Sequence, residues 1–64
     1  MSQSSDYLRN KFMANGSDGI SEAETMIEAA GGSVVNGIIT YLGDDLQVLE
    51  ACEFLVEEWD YAVP

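Results

Sequence analysis

Glycine sets the grain of this chain. Gly16, Gly19, the Gly31-Gly32 pair, Gly37 and Gly43 break it into short segments, and the single proline is Pro64. Glycine is costly inside helices and strands and at ease in turns, so these positions read as connections. A chain cut this way folds by packing several short elements together. With 64 residues it is one domain at most, spanning residues 1–64. Its core is small enough to need help from a metal, disulfides or a partner. Cys52 is the only cysteine, so no internal disulfide is available, and there is no histidine.

Four segments between the glycines carry helical signals. The first covers about 6–14, with Ser4 or Ser5 as its cap and Leu8 and Phe12 on one face. Asn15-Gly16 then stops it. The second covers about 21–30. Ser21 followed by Glu24 makes a capping box, Ala23, Met26, Ile27 and Ala30 recur at helical spacing, and Gly31-Gly32 ends it. The fourth covers about 45–61, capped by Asp44. At 100° per residue, Val48, Leu49, Cys52, Leu55, Val56 and Trp59 form an apolar stripe.

The third segment, 33–42, admits two readings. Val34, Val35, Ile38, Ile39 and Leu42 follow the i, i+1, i+4, i+5, i+8 pattern of a buried helix face, with Ser33 as cap and Gly43 as stop. Asn36-Gly37 between apolar residues is also the strongest short hairpin signal, and the β-branched content favours strands. The helical reading leads. The expected fold class is therefore all-α, a compact bundle of four short helices, with a hairpin at 33–42 as the alternative.

Charge limits what such a domain does. Twelve acids face two bases, Arg9 and Lys11, for a formal net charge of −10. Two cations cannot neutralise a phosphate backbone, so direct nucleic-acid binding is not expected, and an anionic membrane surface is disfavoured for the same reason. The apolar fraction of 47% is too high for an acidic disordered tail. No apolar run is long enough to span a bilayer. Residues 1–6 have neither a basic nor an apolar region, so no secretory signal is expected, and cytoplasmic residence follows by default.

The acids are unevenly placed. Asp44, Asp45, Glu50, Glu53, Glu57, Glu58 and Asp60 fall in 44–64, which holds no base. Glu50, Glu53, Glu57 and Asp60 line the helix side opposite the apolar stripe, at a rise of about 4.5–6 Å per step. Successive phosphates along DNA are separated by a similar order of distance. Such a stripe can imitate phosphates, or it can be a solvated face that aids solubility. Glu24 and Glu28 form a like-charge i, i+4 pair on the second helix. Phe54 and Tyr61 point away from the apolar stripe among these acids. They read as an anchoring pair inside a charged rim, unless another helix, residues 62–64 or a second copy of the chain covers them.

Other chemistry finds little support. The loop containing Asn15, Gly16, Ser17, Asp18 and Gly19 superficially resembles a calcium loop. Taking Gly19 as its sixth position leaves Gly16, Ala14 and Thr25 where ligands belong, so calcium is not expected. Without histidine, Cys52 has no imidazole to activate it and reads as a buried inert thiol. No cofactor, no metal and no enzymatic activity are expected.

Two local resemblances fall on residues 21–42. The alanine-rich run ending at Ala30, the Gly31-Gly32 turn and a capped segment ending in Tyr41-Leu42 resemble the second and third helices of ubiquitin-associated domains. In that family a Met-Gly-Phe-type loop follows the first helix, and here it falls on Met13, Ala14, Asn15 and Gly16. The same stretch is similar to a helix-turn-helix, whose recognition helix would be 33–42 and would carry no cation. In size and charge the whole chain resembles the small acidic inhibitors that bacteriophages direct against host nucleic-acid machinery, including anti-CRISPR proteins. The residues that carry this likeness are Glu22, Glu24, Glu28, Asp44, Asp45, Glu50, Glu53, Glu57, Glu58 and Asp60. It implies a DNA mimic acting in the host cytoplasm.

The leading expectation is a non-enzymatic acidic binding protein that occupies a basic, nucleic-acid-binding surface of a larger protein. Its contact residues would be Glu50, Glu53, Glu57, Asp60, Phe54, Tyr61, Glu24 and Glu28. The alternative is a helical interaction module of the ubiquitin-associated type or a structural adaptor. A homodimer is compatible with either.

Overall fold

A computed structural model describes residues 3–64, with side chains from Leu8 onward. It contains three helices and one hairpin, in the order α1 (Gln3–Ala14), α2 (Ser17–Ala29), β1 (Ser33–Val35), β2 (Ile38–Thr40) and α3 (Leu46–Trp59). The four-helix expectation is thereby corrected: the third segment is the hairpin.

The reason lies in a symmetry that the helical period conceals. The strands pair antiparallel with Val34 opposite Ile39 and Val35 opposite Ile38. These four residues are mirror-related about Asn36-Gly37, and a mirror pair around a two-residue turn has the same i, i+1, i+4, i+5 spacing as a helix face. The turn decides between the two. Asn36 and Gly37 both have positive φ, 54° and 77°, as the tight hairpin turn matched to strand twist requires. β-branched Val34, Val35, Ile38, Ile39 and Thr40 then suit the pleated backbone better than a helix. Val34 and Ile39 face the core, while Val35 and Ile38 face solvent. Leu42, which a helix would have buried, is 97% exposed.

A hairpin of three-residue strands is marginal alone. This one is completed from the far end of the chain. The Ala62 N–H donates to the Gly37 carbonyl at 2.8 Å, and the Ile39 N–H donates to the Ala62 carbonyl at 2.8 Å. Ala62 thus forms a parallel bridge beside β2, opposite the β1 edge.

Helix boundaries also shift. α1 begins at Gln3, so it already contains Ser4 and Ser5, whose side chains lie outside the described residues. α2 begins one turn before Ser21, with Gly16 as its cap and no side-chain cap bond, so the Ser21–Glu24 capping box does not form. The glycine loop is mostly helix, leaving Asn15 and Gly16 to join α1 to α2. That tight junction works because Gly19 is buried against α1: a Cβ there would lie 2.1 Å from the Phe12 carbonyl oxygen. α3 is capped by Asp45 in place of Asp44, its carboxylate accepting from the backbone N–H of Gln47 at 2.9 Å and of Val48 at 3.5 Å. The helix ends at Trp59, two residues short of Tyr61, with Asp60 as its cap in the left-handed region at φ 60°.

One core joins all elements. Leu8 and Phe12 of α1, Ala23 and Ile27 of α2 and Ile39 of β2 meet Val48, Ala51, Cys52, Phe54 and Leu55 of α3. Phe12 and Phe54 pack with ring centroids 5.2 Å apart at 37°. The sequence allots α3 a single apolar stripe. With α1 on one flank and α2 on the other, its buried arc runs from Phe54 through Ala51 and Leu55 to Cys52. That is roughly half of the helix circumference.

Candidate interaction surface

The rotation of α3 redistributes every residue expected to make contact. Glu50 is buried, 7% exposed, and Phe54 is 1% exposed; they lie one turn apart on the side where Phe12 packs. The expectation of Phe54 as an exposed anchor and of Glu50 as the first step of a solvated stripe is corrected by this packing. Of the expected apolar stripe, Leu49 and Trp59 turn outward, at 40% and 43% exposed.

Glu53 and Glu57 remain exposed, and they are not alone. Arg9 of α1 reaches across to α3 and pairs with Glu53 at 3.5 Å, with Glu58 at 3.1 Å and, most closely, with Glu57. Hydrogen bonds to Glu57 and then Glu58 raise the Arg9 pKa above its already high ordinary value, so the guanidinium keeps its charge at any physiological pH. The expected carboxylate ladder is therefore a cluster of three acids around one cation, with excess negative charge. The sequence signal for Arg9 is its place beside Leu8 and three residues before Phe12, on the α1 face that meets α3.

The remaining expected residues lie elsewhere. Asp60 is exposed at the helix end, and its N–H and that of Tyr61 both donate to the Leu55 carbonyl. Tyr61 is half-buried, and its hydroxyl donates to Glu24 Oε2 at 2.7 Å, pinning the end of the chain to α2. That bond, together with burial, raises the Tyr61 pKa. Glu28 is exposed one turn beyond Glu24. Glu22 is also exposed and accepts from the Asn15 side-chain amide at 2.8 Å. Among the described residues, Arg9 makes the ion pairs. Asp18, Glu22, Glu28, Asp44 and Asp60 are exposed and in none of them.

Burial pushes the Cys52 thiol above its ordinary pKa, which keeps it protonated at neutral pH. Among the described residues no group of three or more acids or cysteines is arranged to hold a metal ion. No helix among them is long and apolar enough to cross a membrane.

One surface escaped the sequence reading. Leu42, Leu46, Leu49 and Val63 are exposed, at 97%, 67%, 40% and 59%. Helical spacing predicts buried faces for Leu42 and Leu49, and the hairpin and the rotation of α3 turn both outward. No protein family, curated protein or solved structure matches this chain.

Proposed function

We propose that this chain is a non-enzymatic acidic binding protein that occupies a basic, nucleic-acid-binding surface of a larger protein. It would act as the small phage inhibitors do, anti-CRISPR proteins among them, which it resembles in size and charge. The observation that supports this reading is the location of the unneutralised charge. α2 exposes Asp18, Glu22 and Glu28 without a base in its sequence, the β2–α3 connection adds Asp44, and the end of α3 adds Asp60 to the Glu53, Glu57 and Glu58 cluster. A surface meant only for solubility mixes both signs. Here carboxylates would take the place of phosphates in contacts with lysine and arginine. The imitation is one of field and not of a regular ladder, since burial of Glu50 interrupts the spacing along α3.

The test begins with proteins captured on the immobilised chain from a bacterial lysate and eluted by a salt step. Each is then assayed for nucleic-acid binding with and without the chain. The expected result is displacement of nucleic acid, an affinity that falls steeply as salt rises, and a loss of about tenfold or more for Glu28→Lys combined with Asp44→Lys. An affinity flat with salt, or unchanged by the double reversal, would rule the reading out.

A further inference from the structure

We propose that the apolar surface between β2 and the start of α3 is the docking site for an amphipathic, lysine- or arginine-bearing helix of the partner protein. It deepens the acidic-binding reading above and rests on it. The surface is a shallow groove of about 330 Å³, lined among others by Ile39, Leu42, Leu49, Cys52, Val63 and Pro64. Leu46 stands beside it, one turn from Leu49 on α3. Leucines exposed to this degree and grouped together are uncommon on a monomer unless something covers them.

The chemistry around the groove selects the occupant. Asp44 and Asp45 lie in the connection between Leu42 and Leu46, whereas Glu53, one turn beyond Leu49, is already held by Arg9. The carboxylates at the start of α3 thus flank the apolar floor, and the residues that line it include no cation. A second copy of the chain docking through the same patch would set carboxylate edge against carboxylate edge, with a net charge of −10 on each side. A cationic partner meets attraction at the same positions. Its backbone form follows from the sheet. β2, which makes one wall, already has β1 on one edge and Ala62 on the other, so an extended peptide finds no free edge of that strand to pair with. A helix needs no such edge, because it satisfies its own backbone and offers side chains at i, i+3, i+4 and i+7 to an apolar groove.

Two synthetic peptides of identical leucine and lysine composition provide the test, one with its leucines on a single helical face and one scrambled. Both are titrated into the isotope-labelled full chain and followed by amide chemical shifts. The amphipathic peptide is expected to bind about tenfold more tightly than the scrambled one, with shifts concentrated at Leu42, Leu46, Leu49 and Val63. Leu46→Ser with Leu49→Ser should remove that advantage, leaving the affinity of the scrambled peptide and an unchanged circular dichroism spectrum. Equal binding of both peptides, with shifts spread over the acids, would overturn the docking site while leaving the charge reading standing. Binding of neither would remove both. A dimer in sedimentation equilibrium that the two serines abolish would assign the groove to a second copy and overturn the proposal.

Discussion

Tyr61 shows how a single side chain ties the end of the chain to its middle. Its hydroxyl needs the phenolic proton to donate to Glu24, and so its pKa is raised above the ordinary 10.0. The folded state therefore holds this proton more tightly than the unfolded state does. The contribution to stability is fully present below pH 10 and is lost as pH rises through the raised folded value. Cys52 titrates in the same direction, so the wild-type profile alone is ambiguous. Tyr61→Phe resolves it. Urea unfolding should show a loss of about 1 kcal/mol at neutral pH. The difference between the two proteins should then shrink toward zero as pH climbs past the tyrosine's titration. A constant difference at all pH values would mean that the hydroxyl bond contributes nothing.

At the scale of elements, the junction of α1 and α2 depends on Gly19. A methyl group there meets the backbone carbonyl of Phe12, which has no side-chain rotamer to move aside. Gly19→Ala should destabilise the fold by about 1–3 kcal/mol in urea unfolding. Alanine favours a helix interior, so an increase in stability would mean that the α1–α2 junction yields to a methyl group and does not depend on Gly19. The sequence carried much of this level of structure. It located the cores of all three helices, the stops at Asn15-Gly16 and Gly31-Gly32, and both candidate forms of 33–42. It could not choose between those forms, because Val34, Val35, Ile38 and Ile39 satisfy helix and hairpin alike. Only the positive φ values at Asn36 and Gly37 separate them. The candidate surface was less legible. A helical wheel assumes one buried face, and α3 has two neighbours, so Phe54 and Glu50 went inward and Leu49 and Trp59 outward. Charge, being a sum over residues, survived that error; its pattern along α3 did not.

For the whole molecule, Arg9 matters beyond its single charge, because it holds three carboxylates against one another. Arg9→Gln leaves Glu53, Glu57 and Glu58 to repel. Because all four side chains are partly solvated, the loss should be modest, about 1 kcal/mol at low salt, and smaller at high salt. Unfolding curves at two ionic strengths check it, and a loss independent of salt would point to packing by the arginine stem. The same variant makes the surface one unit more negative, and under the proposed function it should bind a basic partner more tightly provided the fold persists. The parallel bridge at Ala62 covers one edge of β2 with a residue that lies beyond α3, so that edge stays closed only while the end of α3 holds Ala62 in place. Fraying there bares the edge, and a net charge of −10 on each copy then works against its pairing with a second one.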